Sequence, residues 1–311
     1  MRLRPGSWLP LLVIVSVCLG LVWLVTYVRA RRFDSPDRLL ARLPSQDAVL
    51  LFVDFGALRQ AGTLDLLNQS RASQEQEYQS FVTATSFDYL RDLDMGMASF
   101  QPTGVSFVAR GRFDWPRLSA YAAAQGGRCQ NAVCRMQGST PDRQISFQPL
   151  RQDTMALAVS KDDWAVAALN RHWPPPPGFR MPALPVWIYL PPRVFRDNEP
   201  FPPGTRLFGR ALASAEGVIL GLGREDDRLD VRLDVSCRTA EDATLLARQL
   251  ETVTGELKRL IEEQHQQPKP GGLSAALVAG TFRAETTRVT GRWPVDRGFL
   301  EALAKGEMRT Y

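Results

Sequence analysis

Asp88, Asp92 and Asp94, with Arg91 between them, form the densest carboxylate cluster in the chain. Paired carboxylates can divide acid and base roles, as in glycoside hydrolysis, or ligate calcium through oxygen. This loop lacks the central glycine and distal glutamate of a calcium loop, so a solvated helix end carrying an Asp–Arg pair is the plainer expectation. The chain has only two histidines, His172 in a proline-rich stretch and His265 at a polar helix end. Neither neighbourhood offers the packing that orients a catalytic base beside a nucleophile. No phosphate-binding glycine loop occurs, and Gly221-Leu222-Gly223 lacks the third glycine of a dinucleotide fingerprint. His and Cys are not clustered at metal-ligand spacing. The sequence therefore assigns no catalytic, cofactor-binding or metal-ligating residue, and no cofactor.

The cysteines carry a sharper signal. Cys129 and Cys134 enclose Gln130-Asn131-Ala132-Val133, a length suited to a hairpin loop in which Asn131 takes a left-handed conformation. Cysteines opposed across such a loop meet disulfide geometry. One isolated pair makes a poor zinc site, so a Cys129–Cys134 bridge is expected, and with it an oxidising compartment. Cys237 ends the apolar face of a strand and reads as a small buried hydrophobe, whereas Cys18 falls in an apolar N-terminal run.

The elements that must hold these residues follow from periodicity. The first half predicts a strand over Ala48–Asp54, a helix over Gly56–Asn68 and a second helix over about Ser73–Leu93. Val105, Phe107, Ala109 and Phe113 alternate with polar residues, as in a half-buried strand. Asp114 and Pro116 open a helix that Gly126-Gly127 ends. Strands over Ile145–Leu150 and Met155–Val159 come next, and Ser160–Asp163 opens a helix bearing Trp164. The second half repeats the order: a strand over Val186–Leu190, a helix near Thr205–Ser214, and strands over Val218–Gly223 and Leu229–Cys237. Thr239–Asp242 then caps a long helix with a stripe of Leu245, Leu246, Leu250, Val253, Leu257, Leu260 and Ile261. Two strands (about Leu273–Thr281 and Phe282–Gly291) and a helix over about Pro294–Lys305 close it.

Eleven of the 22 prolines fall between residues 174 and 203 and read as a stiff connector rather than a docking motif. The fold class expected is α+β: an N-terminal transmembrane helix followed by two similar lobes, each an antiparallel sheet with helices on one face. The boundaries are 1–8 for a cytoplasmic tail, 9–28 for the membrane helix, 29–42 for a juxtamembrane linker, 43–172 and 186–311 for the lobes, and 173–185 for the connector.

From Pro5 to Val28 no side chain is charged, and residues 9–28, as a helix, match the roughly 30 Å hydrocarbon core of a bilayer. A cleaved signal peptide ending near Ala30 is the rival reading, but its apolar region would ordinarily be shorter. Five of the 38 basic residues flank this segment, which leaves 33 against 33 acidic groups in residues 33–311. A neutral body leaves no electrostatic footprint for a phosphate backbone, so nucleic acid is not an expected partner.

Leu43–Ala48, Phe87–Asp94 and the segment from Gly127 through Cys129 and Cys134 to Arg135 resemble stretches of uncharacterised, membrane-anchored bacterial proteins with extracytoplasmic two-lobe α+β bodies. The resemblance covers most of residues 40–170. It implies a bacterial envelope setting and brings neither an activity nor site residues. The expected role is a non-catalytic, single-pass binding or scaffolding protein of the inner membrane, its body periplasmic. Its partners would be the bilayer, through residues 9–28, and another envelope protein. The alternative is an extracytoplasmic hydrolase with a carboxylate-based site between the lobes.

Overall fold

The computed structural model describes residues 35–64, 76–196, 206–225, 228–263, 273–296 and 298. The apolar segment 9–28 and most of the helix expected over Pro294–Lys305 lie outside them. Among the described residues no helix is long and apolar enough to cross a membrane.

The elements run α1 (Pro36–Leu40), β1 (Val49–Asp54), α2 (Phe55–Gln60), α3 (Gln76–Thr85), α4 (Tyr89–Asp92), β2 (Leu93–Gln101), β3 (Gly104–Gly111) and α5 (Trp115–Ala124). After these come β4 (Arg128–Gln130), β5 (Val133–Gln137), β6 (Gln144–Arg151), β7 (Thr154–Ser160) and a 3-10 helix over Ala165–Asn170. The second half comprises β8 (Val186–Leu190), α6 (Arg193–Arg196), α7 (Arg206–Ala211), a 3-10 turn over Leu212–Ser214, β9 (Gly217–Glu225) and β10 (Arg228–Ser236). It continues with α8 (Ala240–Glu263), α9 (Leu273–Val278), β11 (Thr281–Glu285) and β12 (Arg288–Val295).

All the strands belong to one 12-stranded sheet in the order β11-β12-β10-β9-β8-β1-β2-β3-β7-β6-β5-β4. This corrects the expected pair of separate lobes. The sequence repeat is real in topology, since β1-β2-β3-β7-β6 and β8-β9-β10-β12-β11 have the same order, and the first half adds the cysteine hairpin β4-β5. But the equivalent strands β1 and β8 pair antiparallel, Leu50 opposite Tyr189 and Phe52 opposite Trp187, and fuse the halves. Each first strand of a repeat would otherwise present an unpaired edge, and pairing the two removes both.

Register assigns the faces. The row Cys129, Cys134, Phe147, Leu157, Phe107, Ala98, Leu51, Ile188, Leu220, Leu233, Gly291, Phe282 crosses the whole sheet on one side. Helix α5 packs on it at one end through Leu118 and Ala122, and α8 at the other through Leu246 and Leu250. The neighbouring row on the opposite side runs Gln148, Ala156, Val108, Met97, Phe52, Trp187, Gly221, Arg232, Arg292, Thr281. Its first part is apolar and lies under Leu39, Leu40 and Leu43, the 3-10 residues Val166 and Leu169, and Phe179, Met181 and Leu184. Helices therefore lie on both faces, not on one as the sequence predicts.

The proline-rich stretch is part of that cover. Phe179 packs 5.5 Å from both Trp187 and Tyr189. The stretch is pinned by backbone bonds from Trp173 to Ala41 and from Asp54 to Pro185, and by the Ser45 hydroxyl donating to the Pro174 carbonyl. Proline cannot donate to a ladder, yet its carbonyl accepts freely, so such a chain suits a sheet's face better than its interior. Gly221 lets Leu184 lie down on the sheet, because a Cβ there would stand 2.5 Å from Leu184 Cδ1.

Several local expectations fail. The helix expected over Gly56–Asn68 ends at Gln60, and Pro294 and Val295, expected to open the last helix, end β12. The helix expected over Ser73–Leu93 breaks at Ser86, which has φ 58°, and Leu93 already begins β2. Leu273–Val278 is helical, so the last hairpin starts at Thr281. The turn after Ser160 closes as a 3-10 helix with Trp164 at its cap, not as an α-helix.

Candidate functional site

The aspartate cluster is consumed by folding. Asp88 caps α4, accepting from the Leu90 amide at 3.0 Å and from the Tyr78 hydroxyl at 2.9 Å. Asp92 is buried and accepts from the Asp88 amide at 2.9 Å, from Arg91 at 2.8 Å and from Arg112 at 3.0 Å. Burial pushes the Asp92 carboxyl up, but the Arg91 hydrogen bond, the Asp88 amide and the charges of Arg91 and Arg112 outweigh it and hold the group below its ordinary value. Desolvation and then the Asp88 contacts push the Tyr78 phenol well above its usual range. Asp94 is exposed on β2. A carboxylate tied to two guanidinium groups and an amide has no basicity to spare, so the cluster is a clamp on the α4–β2 junction.

The cysteine expectation agrees with the structure. Cys129 and Cys134 face one another in the β4–β5 hairpin and are bridged, and Asn131 and Ala132 both take positive φ in the two-residue turn. Cys237 is a buried free thiol whose pKa rises by burial, with smaller contributions from Asp242 and Glu216. His172 is exposed, and His265 lies outside the described residues. Among the described residues no group of three His, Cys, Asp or Glu side chains converges as metal ligands would.

What the sequence did not single out is an apolar cavity in the second half. It has a volume of about 300 Å³ and lies between the sheet and helices α7, α8 and α9. Leu220, Val231 and Leu233 form its floor; Phe208, Leu212, Leu250, Ala276 and Leu277 form its roof; Trp293, with Phe195, completes the wall. All its lining residues are apolar. Trp293 meets Phe282 edge-on at 5.3 Å, and its buried indole N–H has no hydrogen-bond partner among the described residues. Alternation along β9 and β10 and the α8 stripe mark several of these residues as inward-facing. Among the described residues α7 and α9 contribute six residues each and α8 contributes 24, and the space lies where these three meet the sheet. Such a gap between layers has no periodic signature.

No known protein-family model matches the chain, and no curated protein does. Three crystal forms of TP0453, a Treponema protein, are similar in structure at 10% sequence identity. Form I has a TM-score of 0.48 and covers 88% of this chain and 99% of that one; form IV has 0.47, with 87% and 96%. Form III has 0.47, with 85% and 95%. Likeness at this level carries no argument about function.

Proposed function

We propose that this protein is a non-catalytic binding protein of the bacterial envelope, tethered by residues 9–28 with its body outside the cytoplasm, and that its C-terminal half takes up an apolar ligand. The observation that carries the reading is the cavity itself: about 300 Å³ walled by apolar side chains, with no ionisable group on its surface. Ligand sites are typically concave and mostly apolar, and a cavity lined in this way stays dry and receptive to apolar guests. Among the described residues the ionisable groups with displaced pKa values are Tyr78, Arg91, Asp92, Tyr189 and Cys237, and none of them lines this space. The disulfide supports an oxidising compartment. The apolar run of residues 9–28 supports the tether.

The neutral dye N-phenyl-1-naphthylamine tests the reading on the full-length chain in a non-ionic detergent. Saturable fluorescence enhancement is expected with the wild type and should be lost in Ala276→Trp and Leu220→Trp, which fill the space from roof and floor. Unchanged dye binding in both folded variants would remove the cavity as the site. Alkaline extraction tests the tether, with the full-length chain expected in the membrane pellet.

A further inference from the structure

The sheet face opposite the cavity changes character at Gly221. Beyond it β10, β12 and β11 present Asp230, Arg232, Asp234, Arg288, Arg292 and Arg283 where the first half presents apolar side chains. Arg232 and Arg292 stand directly opposite each other on neighbouring strands, a placement that like charges disfavour. Asp230 resolves it. Its side chain is 0% exposed; its Oδ2 accepts from Arg232 Nε at 2.9 Å and is ion-paired with Arg292 Nε at 2.9 Å. Its Oδ1 has no hydrogen-bond partner among the described residues. Gly223 makes room for the arrangement, since a Cβ there would stand 2.5 Å from Arg232 Nε and 2.6 Å from Asp230 Oδ1.

A buried carboxylate is a poor stabiliser, because its desolvation can exceed what the pairing returns. It is a good positioning device. Both guanidinium groups are held by Nε, and their side chains remain 43% and 40% exposed. They line a cleft of about 520 Å³ together with Arg283, which is exposed and has no ion pair among the described residues. Asp234, at the same cleft, is neutralised by two hydrogen bonds from Arg288 at 2.8 and 2.5 Å. The lining itself carries Arg232, Arg283 and Arg292 against Asp234, a surplus of two positive charges; Asp230, Arg288 and Glu285 lie outside it. The opposite wall is apolar, formed by Pro182, Ala183 and Leu184 of the proline-rich stretch with Ile219.

We infer that this cleft binds a phosphate monoester carried on an apolar body. A phosphate monoester bears close to two negative charges at neutral pH, matching the surplus, and its oxygens suit fork-shaped guanidinium donors. The apolar body rests on Pro182–Leu184. The site is separate from the apolar cavity on the other face, so its failure would leave that reading standing.

Calorimetric titration of the full-length chain in a non-ionic detergent, with phenyl phosphate as probe, tests the assignment. Saturable binding is expected, tighter than that of inorganic phosphate, which lacks the apolar body, and tighter than that of benzoate, which carries one charge. Arg283→Gln touches no ion pair, so its fold should survive, and it should weaken phenyl phosphate by about tenfold or more. Arg292→Gln should do so too. Soluble dihexanoyl phosphatidate should compete for the same site, and a higher affinity than phenyl phosphate would identify a lipid source over a free ester. No saturable binding of phenyl phosphate, or benzoate binding equally well, would overturn the inference. So would unchanged affinity in a folded Arg283→Gln protein.

Discussion

Replacing Asp92 by alanine leaves the Asp88 amide and the guanidinium groups of Arg91 and Arg112 without their shared acceptor. Both arginines face water, so the expected loss is modest, about 1–2 kcal/mol by denaturant unfolding. The folded-state pKa of Asp92 is depressed, so its contribution is complete above the ordinary carboxylate pKa and vanishes as pH falls through the depressed value. Acidification below pH 4 should therefore destabilise the wild type more than Asp92→Asn, a difference that unfolding curves at several pH values would reveal. Cys129 and Cys134 should resist a membrane-impermeant maleimide until reductant is added, and Cys237 should react only on unfolding. At this scale the sequence was informative where chemistry is local. Two cysteines across a tight turn, or an aspartate three residues ahead of an amide, fix their own geometry. It could not tell that the Asp88–Asp94 cluster is a clamp, because Arg112 comes from the next hairpin.

The long helix α8 was legible from its cap through its leucine stripe. Its cap is reciprocal, with the Asp242 amide donating to Thr239 Oγ1 at 3.0 Å and the Thr239 amide to the Asp242 carboxylate at 3.2 Å. The stripe is buried only in part: Leu246 and Leu250 are core, whereas Leu260 is 48% exposed. Leu250→Ala should accordingly cost about 2–5 kcal/mol, and Leu260→Ala under about 0.5 kcal/mol, as thermal or denaturant unfolding would show. Strand β2 was missed because Phe87–Leu93 continues an apparent helical spacing, and only the left-handed Ser86 breaks it. Helix α9 was read as a strand because six residues of Leu273–Val278 give no periodicity to distinguish the two. The proline-rich stretch, expected as a connector between lobes, lies instead over Trp187 and Tyr189, and that role depends on contacts far along the chain. Phe179→Ala should loosen that cover and speed proteolysis between residues 174 and 185 relative to the wild type.

At the scale of the molecule, the repeated element order was legible and the joining of the repeats was not. Pairing β1 with β8 brings together strands more than 130 residues apart, and no local pattern records such an edge. It also places Trp187, Tyr189 and Ile219 in the same core as Leu50 and Phe52, so the halves share what separate lobes would each own. The cavity lies in the second half, between the sheet and helices α7, α8 and α9. Thermal unfolding of the full-length chain in a fixed non-ionic detergent, with and without saturating benzene, tests the cavity most directly. A ligand that binds only the folded state stabilises it by about 2.7 kcal/mol at a hundredfold excess over its dissociation constant. The account predicts a higher Tm with benzene for the wild type and no shift for Ala276→Trp. An unshifted wild type, or an equal shift in the filled variant, would contradict it.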